Sequence, residues 1–135
     1  GVTKIGNYAF SGCSSLQKVA IPASVTSIGY NAFSSCSGLR SLTMGDGVSF
    51  IGASAFDDCS SLESITLSDS VKEIGWGAFS GCSALTSLEI PNGVTSIGNG
   101  AFAYCSSLSS VTIPNSVTEI HDDAFPSYTK INRKK

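Results

Sequence analysis

Residues 85–105 read LTSLEIPNGVTSIGNGAFAYC, and this stretch decides the fold. Its apolar positions are Leu85, Leu88, Ile90, Val94, Ile97, Ala101, Phe102 and Cys105. Counting 23 residues back gives Leu62, Ile65, Leu67, Val71, Ile74, Ala78, Phe79 and Cys82; counting forward gives Leu108, Val111, Ile113, Val117, Ile120, Ala124 and Phe125. The 135-residue chain holds almost six such units, aligned on Val2, Val25, Val48, Val71, Val94 and Val117. One 23-residue coil cannot bury eight apolar positions by itself. Stacked coils turn each position into a continuous column and share one elongated core, so the period predicts a solenoid.

Within the unit, Leu16 to Ile21 and its equivalents alternate apolar and polar, as short strands do, and in register they predict a parallel sheet along one face. Pro22, Pro91 and Pro114 end three of these segments. The Val-x-x-Ile segment reads as a second extended piece, with the glycine after it (Gly6, Gly29, Gly52, Gly75, Gly98) permitting a tight turn. Phe33, Cys36 and Leu39 recur at i, i+3 and i+6, which predicts one or two helical turns with one face inward. Asn31, Ser54, Gly77, Gly100 and Asp123 then read as helix N-caps, with Tyr8 the exception, and Asp57 and Asp58 as residues of a first helical turn. The expected class is therefore α/β. One repeat domain spans 1–129, followed by a basic tail at 130–135.

Composition narrows the function. Serine supplies 26 residues and glycine 14, yet hydrophobic residues make up 41% and mean hydropathy is +0.20, so the chain is no disordered polar tract. No apolar run approaches the roughly 18 residues of a membrane span, and no basic start followed by an apolar core marks a signal peptide. Lys130, Arg133, Lys134 and Lys135 hold half of the eight cations, leaving Lys4, Lys18, Arg40 and Lys72 in the body against ten carboxylates. An acidic body argues against nucleic acid, which needs a basic surface. The basic tail reads as a solvated terminus or linker stub.

Cys13, Cys36, Cys59, Cys82 and Cys105 fall one per repeat. Zinc sites pair cysteines two to four residues apart, and these do not. Stacked neighbours about 4.8 Å apart, with parallel Cα–Cβ bonds, hold their Cβ atoms farther apart than the roughly 3.8 Å of a disulfide. The five read as a column of buried thiols.

The unit Leu-x-x-[Val/Ile/Leu]-x-Ile-Pro-x-x-Val-x-x-Ile-Gly-x-x-Ala-Phe-x-x-Cys resembles the BspA-like leucine-rich repeat, over residues 2–125. The resemblance implies a right-handed horseshoe-type solenoid, with its parallel sheet on the concave face and helical turns on the convex side. It also implies a surface or secreted protein that adheres to host matrix or to other cells, hence a protein partner. The pattern lapses at the end: His121 replaces the glycine, Tyr128 stands in the cysteine register, Ile131 in the leucine register and Lys134 where a core residue belongs. The sixth repeat is expected to act as a partial cap. Both ends look cut, so the chain is expected either to belong to a longer array or to pack its open end on a neighbour, an end-to-end self-association.

Catalysis finds little to work with. His121 is the only histidine, and its neighbours Asp122 and Asp123 read as a polar turn rather than a metal site. The cysteines occupy core positions, no phosphate loop is present, and no cofactor, metal or catalytic residue is expected. Binding is better supported. Residues alternating with the buried strand positions face outward, mostly as serine and threonine; Lys18, Arg40, Glu63, Thr66 and Glu89 stand out among them as contacts. Larger side chains interrupt two polar columns. Tyr30 and Trp76 occupy a register otherwise held by Asn7, Ala53, Asn99 and Asp122; Phe50 occupies one held by Lys4, Ser27, Glu73, Ser96 and Glu119. Tyr30, Phe50 and Trp76 are therefore expected to form an exposed partner-binding patch. Two other readings remain at this stage: a spacer without its own ligand, and a glycan- or ice-binding face on the Ser-x-Thr ladder at 41/43, 64/66 and 110/112, which Ala20 and Glu89 interrupt.

Overall fold

The computed structural model describes residues 2–121 and 123–134. The chain winds as a right-handed solenoid of about six coils, each giving two short parallel strands. The Val-x-x-Ile segments form β1 (Lys4–Ile5), β3 (Ser27–Ile28), β5 (Phe50–Ile51), β7 (Glu73–Ile74), β9 (Ser96–Ile97) and β11 (Glu119–Ile120), one six-stranded sheet in that order. The alternating segments form β2 (Lys18–Ile21), β4 (Ser41–Met44), β6 (Ser64–Thr66), β8 (Ser87–Glu89), β10 (Ser110–Ile113) and β12 (Lys130–Arg133) on a second face. Register follows the repeat: Ile5 stands opposite Ile28, and Leu42 opposite Ile65. In β4 the alternation reads directly, with Leu42 and Met44 buried and Thr43 exposed.

The columns meet in one core. In the third coil Val48, Ile51, Ala55, Phe56, Cys59 and Leu62 are completely buried. Phe10, Phe33, Phe56, Phe79, Phe102 and Phe125 stack along the axis with ring centroids 5.1–5.3 Å apart, nearly parallel. The spacing is within the range of offset-stacked rings. The column is fully enclosed from Phe56 to Phe102 and opens at its ends, where Phe10 is exposed and Phe125 half-buried. Each buried thiol donates to a phenylalanine carbonyl of the coil before, as from Cys59 Sγ to Phe33 O at 3.2 Å, and the five cysteines are free.

The helical turns expected between glycine and leucine do not form: no helix occurs among the described residues. The backbone amides there alternate between two destinations. Ser54, Phe56 and Asp58 donate to Trp76, Ala78 and Ser80 of the next coil, while Ala55, Asp57 and Cys59 donate back to Gly52, Ser54 and Phe56. An α-helix would need all of them within its own coil. Each unit also holds residues of left-handed backbone, so the expected N-caps are turn residues: Asn31 (φ 54°), Ser54 (φ 55°), Gly77 (φ 62°), Gly100 (φ 65°) and Asp123 (φ 63°), with Tyr8 (φ 60°) among them. Asp57 and Asp58 accordingly start no helix. Burial, then the neighbouring Asp58, holds the Asp57 carboxyl above its ordinary range.

From Gly29 onward, the glycine after the isoleucine has a different use from the expected turn. A Cβ on Gly52 would lie 2.7 Å from Ile28 O and 2.9 Å from Tyr30 N, so the residue is small because the preceding coil passes there. The hydrogen bond that the amide donates at this register measures 2.8 Å from Gly52 to Ile28 O and 2.8 Å from Gly98 to Ile74 O, and lengthens to 3.2 Å from His121 to Ile97 O.

Two further departures shape the surface. The second sheet is not continuous: it splits into β2-β4-β6 and β8-β10-β12. Phe56 and Phe79 remain stacked at 5.2 Å behind the split, so the coils part only at the front. Acidic Glu63, Asp69 and Glu89 flank the opening, and Lys134 Nζ donates to Glu89 Oε1 at 2.9 Å. The last coil is also shorter. Lys130 stands opposite Ser110 and Ile131 opposite Val111, so Ile131 occupies a strand register rather than the leucine register. Thr129 Oγ1 donates to Leu108 O at 2.8 Å and closes that coil. The basic segment thus carries a paired strand through Arg133.

Candidate functional site

The eight contact residues expected from the sequence are all exposed. Lys18, Thr66 and Glu89 lie on β2, β6 and β8; Arg40 and Glu63 directly precede β4 and β6. Glu63 and Glu89 both line a groove of about 310 Å³ at the split, with Ile65 and Leu88 between them. Thr66 and Glu89 share a smaller recess of about 230 Å³ beside it. Lys18 lies apart, beside the first coil, where Val2, Ile5, Phe10, Leu16 and Val19 border an apolar hollow of about 400 Å³.

The aromatic residues are set by the turn and by the six-stranded sheet. Phe50 is on β5, between Ser27 and Glu73 of the adjoining strands. Tyr30 and Trp76 each follow a register glycine, two coils apart, with Ala53 between them. They are 48%, 42% and 65% exposed for Tyr30, Phe50 and Trp76. Removing such area from water on contact with a partner releases about 25 cal/mol per Å². Tyr30 has a neighbour the sequence reading passed over: its ring meets the edge of Tyr8 at 5.4 Å, nearly perpendicular. Asn7 Oδ1 accepts the Tyr30 amide at 3.0 Å and fixes the backbone beneath that pair.

Tyr104 was also missed, and Tyr128 was read only as a departure in the cysteine register. Each is a bulky letter in a column of small or conserved-size ones, a signal the sequence carries. The polar turn read at 121–123 is described only in part, since Asp122 lies outside the described residues. His121 Nε2 stands 3.7 Å from Glu119 Oε1 on an exposed surface. Among the described residues no three His, Cys, Asp or Glu side chains converge.

A family model described as BspA type leucine rich repeat region matches residues 3–132 in six copies. Among solved structures, a leucine rich cell surface protein from Faecalibacterium prausnitzii is 39% identical with a TM-score of 0.83, over 87% of this chain and 32% of that one. A leucine rich repeat protein of T. pallidum is 32% identical with a TM-score of 0.81, over 97% of this chain and 67% of that one. One from Eubacterium ventriosum is 34% identical with a TM-score of 0.76, over 88% and 32%. The chain spans about a third of the first and last of these and two thirds of the second. No curated protein matches it.

Proposed function

The chain belongs to the BspA-type leucine-rich repeat family, and from that premise we propose that it is a non-catalytic module that binds a protein partner at a cell surface. The observation that carries this reading is the exposure of Tyr30, Phe50 and Trp76 in columns that otherwise hold small or polar residues. Tryptophan and tyrosine dominate binding hot spots, because they bury a large rigid area while losing few rotamers. The stacked core holds them at fixed spacing, so little ordering is left to be done on contact. The Glu63 and Glu89 groove adds an acidic rim, which suits a partner with basic side chains. The surface location rests on the description of the Faecalibacterium relative. No helix among the described residues is long and apolar enough to cross a membrane.

The test is surface plasmon resonance against a panel of matrix and cell-surface proteins. Wild type captures a specific partner, and Tyr30→Ala/Trp76→Ala weakens capture at least tenfold with an unchanged circular dichroism spectrum. Equal capture by the variant removes the patch; silence across the panel favours a spacer.

A further inference from the structure

The second left-handed position of the coils falls at Gly12 (φ 75°), Ser35 (φ 58°), Asp58 (φ 57°), Gly81 (φ 78°) and Tyr104 (φ 60°). Glycine suits this conformation, and Asn or Asp tolerate it; a tyrosine brings its Cβ against the following carbonyl. No burial offsets that, because Tyr104 is 81% exposed, more than any other large apolar side chain described. A side chain held in unfavourable backbone without contributing to the core is one kept for what it meets outside.

Tyr104 stands on the wall of a groove of about 540 Å³, within the roughly 300–1,000 Å³ of small-molecule sites. Phe125, Pro126 and Tyr128 supply the rest of the apolar lining, and Asp123, Ser106 and Ser127 the polar part. Two of the three aromatic rings of the lining are held in place. The Tyr128 hydroxyl donates to Cys105 O at 2.9 Å, which fixes its ring. Phe125 ends the phenylalanine stack 5.1 Å from Phe102, and Pro126 replaces the Ser, Asp or Ala that follows the phenylalanine in other coils.

We infer that this groove is a carbohydrate subsite, which takes a pyranose with equatorial hydroxyls from a β-linked oligosaccharide. Such a ring presents C–H bonds on its two faces and hydroxyls around its edge. The faces suit the tyrosine rings, the edge hydroxyls donate to the Asp123 carboxylate, and Ser106 and Ser127 exchange hydrogen bonds with their neighbours. A polyproline segment, the other usual occupant of a tyrosine-lined groove, has no proline N–H to give to the Asp123 carboxylate, whereas a sugar has a hydroxyl at nearly every ring carbon. The site is separate from the proposed protein contact, which lies on earlier coils.

Cellotriose and chitotriose, titrated into the full chain and followed by calorimetry and amide chemical shifts, provide the test. Wild type binds at least one of them, with shifts centred on Tyr104 and Tyr128. Tyr104→Gly, the residue that Gly12 and Gly81 show to be suited to this register, keeps or raises the melting temperature while weakening binding at least tenfold. Asp123→Asn, which also tolerates left-handed backbone, weakens binding as well, and Trp76→Ser leaves it unchanged. The inference is overturned if neither sugar binds, if Tyr104→Gly binds like wild type, if Tyr104→Gly lowers the melting temperature, or if decaproline shifts the same amides and the sugars do not.

Discussion

Phe79 lies between Phe56 at 5.2 Å and Phe102 at 5.3 Å, with no solvent contact. Truncating it loses the transfer energy of the ring and leaves a cavity that rigid neighbours on both sides cannot fill. Phe79→Ala is therefore expected to lower stability by about 3–5 kcal/mol in urea unfolding, whereas equal midpoints would refute its place in the core. Cys59 couples the same core to pH. Burial, then the Cys36 thiol, pushes its pKa from an ordinary 9.0 up to about 12. Between those values the unfolded chain has released the proton while the folded chain keeps it. The unfolded state binds fewer protons, so stability, full below pH 9, falls as pH rises through this window. The urea midpoint should decline from pH 9 to 12. Cys59→Ala should be less stable at neutral pH but decline less steeply, and an identical slope would contradict the account. The buried residues were legible because each repeats at one register. Tyr8 and Tyr104 were legible only as misfits, because their meaning depends on a left-handed backbone that the sequence does not display.

At the scale of strands and turns, sequence reading succeeded where a single local rule decides. The period-two alternation marks β4 and β10, and the Val-x-x-Ile pairs mark the six-stranded sheet. It failed in the turn, where Phe33, Cys36 and Leu39 show helical spacing but their coil bonds to its neighbours. Spacing of apolar residues reports which side faces inward; it does not report where the amides donate. It also missed the split between β6 and β8, because both segments carry the same alternation as their neighbours and nothing in either repeat marks the break. The distance between coils is set by the glycine register. Gly52→Ala forces a methyl to within 2.7 Å of Ile28 O, so the coils must part, at a cost of about 1–3 kcal/mol. His121 gives the natural precedent, with the hydrogen bond from its amide stretched to 3.2 Å. A Gly52→Ala protein as stable as wild type would show that the coils are looser than described.

The whole molecule is a row of contacts between adjacent coils, each resembling the next, so stability accumulates along the axis and the surface letters are left free to differ. Its two ends are unlike. The last coil is shortened and its β12 is exposed along its length, Ile131 included, while the first coil leaves Val2 and Phe10 exposed. What the sequence could not supply at this scale is which exposed letters meet a partner, since recognition depends on the shape of grooves such as those beside Glu89 and Tyr104.

The coils are joined by amides of one donating to carbonyls of the next, and scalar coupling across hydrogen bonds in solution NMR detects that bond itself. The account predicts cross-peaks from the amide nitrogens of Phe33, Phe56 and Phe79 to the carbonyl carbons of Ala55, Ala78 and Ala101. Cross-peaks from those amides to carbonyls four residues earlier in their own coil, such as Phe56 to Gly52, would contradict it.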